Sequence, residues 1–283
     1  DSRNIIVRNN RIHGYRTGTN EANAAGISVY ASGDIILENN ELFDAGSGIF
    51  LKQPADIYGT GTSVGYIIVR YNYIHDVSHG IAVHRTEGTE AHQTDIYQNI
   101  VRNAASCYTI WPFDNGAWNP KYARFQNNVG ENCQIGLLIR AGDSNAGILP
   151  NANNIFWNNI ITNSQSRVIN NEGPDTSVND PNRFDSEHNI FFNFPSFSLS
   201  GTTTRTLAQW KSSFNQDNTA PTSISTDPLF VNPSGNDYHL QAGSPVLSMG
   251  VDFLDLDNDG STADIIPAGA YITGNEVIGV TSG

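Results

Sequence analysis

Seven asparagines recur along this chain at nearly equal intervals, and the interval governs what the chain can fold into. The segments "NIIVRNNRIHG" (4–14), "DIILENNELFD" (34–44) and "YIIVRYNYIHD" (66–76) align without a gap. Weaker copies follow as "TDIYQNIVRN" (94–103), "ARFQNNVGEN" (123–132), "NIFWNNIITN" (154–163) and "SEHNIFFN" (186–193). The shared residues are Asn10, Asn40, Asn72, Asn99, Asn128, Asn159 and Asn189. A fixed period of this size marks one supersecondary unit stacked on copies of itself. Each unit also carries a strand led by a small residue: "GISVYA" (26–31), "GIFLKQ" (48–53), "GIAVHR" (80–85), "CYTIWP" (107–112) and "GLLIRA" (136–141).

One period therefore holds three short strands: one before the asparagine, one after it, and one after a variable loop. Apolar residues alternate with polar ones and turn residues interrupt every few positions, which disfavours helices. The pattern predicts an all-β, single-stranded right-handed parallel β-helix of about seven coils of roughly 30 residues over 1–195. Asn tolerates the left-handed backbone of a tight bend, and its amide can bond the amide one coil away. Strands in adjacent coils lie about 4.8 Å apart, so stacked asparagines form a ladder. The 34 asparagines and 26 glycines of the chain, against three lysines, fit a backbone that turns often.

The repeat stops after residue 195, and 196–283 reads as an extension packed on the same solenoid. In "TLAQWKSSFNQDN" (206–218), Leu207, Trp210 and Phe214 fall at helical spacing and predict one short helix over the end of the stack. The rest, "TDPLFVNPSGNDYHLQAGSPVLSMGVDFLDLDNDGSTADIIPAGAYITG" (226–274), is irregular with short strands. With its DPLF, DYHL, GSP and acidic-turn elements it resembles the C-terminal region of secreted bacterial right-handed β-helix proteins. These belong to the pectate-lyase-like superfamily, in which many members are polysaccharide lyases or glycoside hydrolases. The resemblance implies a secreted, carbohydrate-active protein. It departs from the usual "DIGAYE" ending, which here reads "DIIPAGAYI". Such proteins also begin with earlier coils and a cap. Here Asp1 enters directly into a repeat, so the chain is expected to be processed, truncated, or associated through that coil end.

A formal net charge of −13 argues against nucleic acid, whose phosphates need clustered Lys and Arg. No apolar run approaches the roughly 18 residues of a membrane span. Cys107 and Cys133 fit either a disulfide or two buried thiols.

Alternation in "GIFLK" puts Ile49 and Leu51 inward and Phe50 and Lys52 outward. The equivalent outward positions of the other strands are Tyr30, His84, Trp111, Arg140 and Asn171. This column follows the longest loops, where solenoids commonly bind ligands. It mixes aromatic plates for sugar faces, cations for carboxylates and a histidine. A plain solvated sheet face is the competing reading. The chemistry the column suits is β-elimination in a uronic-acid polysaccharide. Arg140 would hold the carboxylate bidentately, Lys52 would act as base, and His84 would share the acid or base role. Tyr30, Arg85, Trp111 and Asn171 would line the sugar path. That lyases of this fold often use Lys and Arg is what the resemblance implies.

Beyond the column lie Glu87, Asp114, Asp143 and Glu172, which read as turn residues or ladder caps, or as an acid–base pair for glycoside hydrolysis, with Glu87 and Asp114 also as substrate ligands. They also suit a Ca²⁺ that neutralises a uronate. In "DLDNDGSTAD" (255–264), Asp255, Asp257, Asp259 and Asp264 around Gly260 suit a Ca²⁺ or a plain acidic turn; the pattern lacks the glutamate of an EF-hand. His13 and His75, with Phe43 between them in register, read as stacked packing or turn residues. A non-catalytic adhesin or carbohydrate-binding stalk is the reading from outside enzymology.

Overall fold

The computed structural model describes residues 3–15, 23–30, 32–52, 65–84, 93–112, 120–141, 148, 151–174, 177–199, 203–262 and 264–280. Within them the repeats wind into a parallel β-solenoid. One sheet stacks Ile5–Arg8, Ile35–Glu38, Ile67–Arg70, Thr94–Tyr97, Ala123–Gln126, Asn154–Trp157 and Phe184–Glu187, each parallel to the next. Of these seven strands, only the inner ones have a neighbour on both sides. The regular solenoid is therefore about five turns between two terminal coils, slightly shorter than a count of repeats suggests.

A 12-stranded sheet covers the other two sides. In three coils the second and third strands of the period are one 12-residue strand: Glu41–Lys52, Tyr73–His84 and Ile100–Trp111. A single left-handed residue makes each corner: Asp44 (φ 51), Asp76 (φ 54) and Asn103 (φ 52). One such residue turns the chain, and the pairing to the next coil runs on past it. Beyond these coils the third-side strands are Ile135–Ile139, Arg167–Asn171 and Phe197–Leu199, and before them Ala25–Tyr30.

The interior is filled by the inward members of the alternation, with Ile49, Leu51, Ile81, Val83, Ile110 and Ile139 fully buried. Each such side chain contributes about 1.5–3 kcal/mol of burial. Leading glycines are needed where coils come closest. A Cβ on Gly48 would lie 2.4 Å from Ile74 Cγ2, and one on Gly80 would lie 2.3 Å from Val101 Cγ1 and from the Cys107 carbonyl. Cys107 and Cys133 form a disulfide inside this core.

The two residues of each asparagine pair have separate tasks. The second residue builds the internal ladder. Asn10, Asn40, Asn72, Asn99, Asn128 and Asn159 each donate Nδ2–H to Oδ1 of the next asparagine, at 2.9–3.2 Å. Each Oδ1 also accepts the backbone N–H one coil back, as in Asn72 N to Asn99 Oδ1 at 3.1 Å. The amide dipoles thus point one way along the stack, with the N–H end toward the C-terminal coil. Asn189 ends the ladder by donating to Asp217 Oδ1 (3.1 Å), so a carboxylate meets the positive end of the aligned dipoles.

The first residue of the pair is left-handed: Asn39, Tyr71, Gln98, Asn127, Asn158 and His188, with φ between 50 and 59. These residues face outward and dock the C-terminal tail, which runs back along the solenoid. Asn39 Nδ2 donates to the Val277 carbonyl, and the Tyr71 carbonyl accepts Gly279 N–H (2.8 Å). Gln98 reaches Glu276 (3.2 Å), Asn127 the Pro267 carbonyl (3.0 Å), Asn158 the Val251 carbonyl (2.8 Å), and His188 the Pro221 carbonyl (2.7 Å). Beneath the tail, Phe230, Tyr238, Val246, Ala268 and Ala270 cover an exterior apolar row of Ile100, Val129, Ile160 and Ile190.

The helix spans Leu207–Phe214, opened by a Thr206–Gln209 capping box and ended by left-handed Asn215. Its Trp210 and Phe214 are buried against the last coil, with Trp210 stacked on Phe197 at 5.0 Å. Among the described residues no helix is long and apolar enough to cross a membrane.

Candidate functional site

Strand pairing aligns the outward column of the third side residue by residue. Tyr30 is opposite Lys52, Lys52 opposite His84, and His84 opposite Trp111. Arg140 donates its backbone N–H to the Ile110 carbonyl (3.0 Å), which places it beside Trp111. The last member differs from the sequence expectation. Asn171 pairs with Ile139, an inward position, and is 0% exposed; its side chain closes its own turn against Gly173 and Pro174. Glu172, whose N–H bonds the Ile139 carbonyl (2.8 Å), takes the outward place. The segment has no leading glycine to fix its register, and backbone pairing sets it one residue from the template.

Trp111 is the centre of the face. The Arg140 guanidinium carbon lies 4.1 Å from its ring centroid, a cation–π contact. His84 meets it edge-on at 5.3 Å, His79 approaches at 6.1 Å, and Phe50 at 6.2 Å. Glu172 Oε2 sits 3.7 Å from Arg140 Nε, so one guanidinium is held between an indole and a carboxylate. Arginine has five N–H donors, and this clamp leaves an edge for an incoming carboxylate.

Lys52 stands apart. Its Nζ donates to Asn23 Oδ1 (3.3 Å), toward the first coil. Three strand spacings separate it from Arg140, about 14 Å at the backbone. A base and a carboxylate clamp acting on one sugar must lie within one sugar's width, so Lys52 and Arg140 are not brought together as that pair. Tyr30, another strand away, is 54% exposed.

His79 was not singled out by the sequence reading. Strict alternation from His84 would turn it inward, but Gly80 and Ile81 both face the interior, which turns His79 out. Its Nδ1 is 2.7 Å from Ser106 Oγ, which is 2.8 Å from Thr109 Oγ1. Burial and, secondly, the Arg140 charge bring its pKa down to about 4, so the imidazole is neutral at neutral pH. A histidine among serines at this position (Ser47, His79, Ser106) was the available signal. Arg85, Glu87, Asp114 and Asp143 lie outside the described residues.

The aspartate loop forms two overlapping acidic groups rather than one. Asp252, Asp255 and Asp257 place carboxylate oxygens within 4.8 Å of one another, and so do Asp257, Asp259 and Asp264. Buried Asp252 was missed in the sequence; it accepts the N–H groups of Leu254 (3.0 Å) and Leu256 (2.7 Å) and sets the loop. Asp257, shared by both groups, has its carboxyl pushed up by desolvation and by the charges of Asp259, Asp264 and Asp252. Oxygen donors gathered this way suit a hard cation such as Ca²⁺.

His13, Phe43 and His75 stack at 4.7 and 4.9 Å between centroids, a packed row on the second side.

Residues 1–128 match the family model for a right handed beta helix region. No curated protein and no solved structure matches the chain. The family match concerns the coils and carries no chemistry of its own.

Proposed function

We infer that the face around Trp111 and Arg140 binds an acidic polysaccharide containing uronic acid and cleaves it by β-elimination. The observation that carries this reading is the Arg140 guanidinium, stacked 4.1 Å over Trp111 beside His79 and His84. An aromatic plate, a fixed cation and imidazoles within one sugar's width are the groups the reaction needs. Arg140 pairs with the uronate carboxylate and draws charge from C5 as its proton leaves. His84 takes that proton; the C5–H electron pair forms the C4–C5 double bond, and the C4–O4 bond breaks. The departing oxygen is protonated from water or from a neighbouring acid. Lys52, about three strand spacings along the stack, serves a carboxylate on a flanking sugar rather than the reacting one.

The experiment is digestion of pectate, alginate and glycosaminoglycans, with absorbance of the unsaturated product and mass of the fragments. Unsaturated ends that vanish in Arg140→Ala support the reading. A saturated product with a new reducing end points instead to hydrolysis through Glu172 and a second carboxylate. Binding without products points to a carbohydrate-binding solenoid.

A further inference from the structure

We propose that the corner between the second and third sides is a separate binding groove for a neutral, extended oligosaccharide. The corner residues Asn103, Asn132, Asn163 and Asn193 occupy successive coils, about 4.8 Å apart. Two cavities open over them, of about 370 and 550 Å³, and they share Asn132 and Gln165. The polar lining is carboxamide throughout apart from Ser164: the four asparagines, Gln134 and Gln165, with Phe194 and Pro195 at one end. No ionisable side chain lines either cavity.

The amides are already oriented. Asn132 Nδ2 donates to Asn103 Oδ1 (2.8 Å), Asn193 Nδ2 to Asn163 Oδ1 (2.6 Å), and Gln165 Nε2 to Asn132 Oδ1 (3.1 Å). A primary amide has two N–H donors and two lone pairs, so each keeps a donor and an acceptor for a ligand. A sugar hydroxyl is both donor and acceptor and matches such edges, and Phe194 offers a ring for a sugar face. Corner geometry accounts for the left-handed asparagines. It does not account for Gln134 and Gln165, two exposed side chains that line the cavities. The groove opens at Ala105, six residues before Trp111 on the same strand, about 20 Å from the Arg140 face, and the inference does not depend on that face.

Calorimetric titration with cellohexaose and xylohexaose, at low and high salt, tests the groove. The expected result is binding that is unchanged by salt and by Arg140→Ala. Q134A/Q165A, at two exposed positions, is expected to weaken it about tenfold or more with an unaltered melting temperature. Absence of binding by both hexaoses overturns the proposal, as does binding abolished by Arg140→Ala and untouched by Q134A/Q165A. Loss of acidic-substrate cleavage in Arg140→Ala, with neutral binding retained, separates this groove from the lyase reading.

Discussion

Replacing Asp217 by Asn tests the end of the asparagine ladder. Asp217 is fully buried and receives four hydrogen bonds. Trp210 Nε1 (2.8 Å) and Ser186 Oγ (2.9 Å) donate to Oδ2; Asn189 Nδ2 (3.1 Å) and Ser223 Oγ donate to Oδ1. Ser223 Oγ already accepts Asn189 N–H (2.6 Å), which fixes it as a donor to the carboxylate. An amide has one oxygen, so in D217N two donors face an NH₂, a loss of about 1–3 kcal/mol for each donor left unsatisfied. Against this, burial pushes the Asp217 pKa up to about 6 even though the four hydrogen bonds pull it down. The native state then holds this proton more tightly than the unfolded chain. Stability from Asp217 therefore rises as pH falls through about 6, by about 1.4 kcal/mol at pH 5 relative to neutral pH, and levels off below the unfolded value near 4. His79 acts in the opposite sense. Its lowered pKa means the unfolded chain takes up the proton first, so stability is lost as pH falls below about 6.5. The total pH dependence mixes both, and the difference between wild type and D217N isolates the carboxylate. Denaturant unfolding of both proteins at pH 7.5 and 5 should show wild type gaining about 1–2 kcal/mol over D217N on acidification. Asp185, whose carboxyl reaches about 7 through burial, Glu187 and then Asp217, shifts the difference the same way. Identical pH slopes in the two proteins would refute the reasoning.

Asn99 donates to the Val69 and Tyr97 carbonyls and to Asn128 Oδ1, and accepts from Asn72. Asn99→Ala should cost about 3 kcal/mol or more in denaturant unfolding, and a neutral result would deny the ladder its role. The disulfide closes a separation of 26 residues, so replacing both cysteines with alanine should cost about 3–4 kcal/mol by loop entropy. Arg140→Ala is expected to lower the rate of unsaturated-product formation about 100-fold, while Lys52→Ala changes it by less than about tenfold; equal losses would restore Lys52 as the base. Ca²⁺ should raise the melting temperature, EDTA should reverse the rise, and Asp257→Asn should abolish it. Melting insensitive to both additives would leave the loop a plain acidic turn.

The solenoid was readable from the sequence because the same local interactions recur in every coil. An asparagine at each period, a left-handed residue before it and alternating apolar residues repeat often enough to set the coils in alignment. The column Tyr30, Lys52, His84, Trp111 and Arg140 followed from that alignment. It failed at Asn171, where backbone pairing to Ile139 set the register and put Glu172 outward. The tertiary structure alone decided three further matters. Lys52 leans toward Asn23, away from Arg140, because side-chain direction is fixed by neighbours outside its own strand. His79 turns outward because two consecutive residues, Gly80 and Ile81, face the core. Asn158 meets Val251, 93 residues away, and Asn39 meets Val277, 238 away; such contacts have no period to betray them. Repetition writes the coils into the sequence, whereas the site and the tail depend on single encounters between distant segments, which only the folded chain brings together.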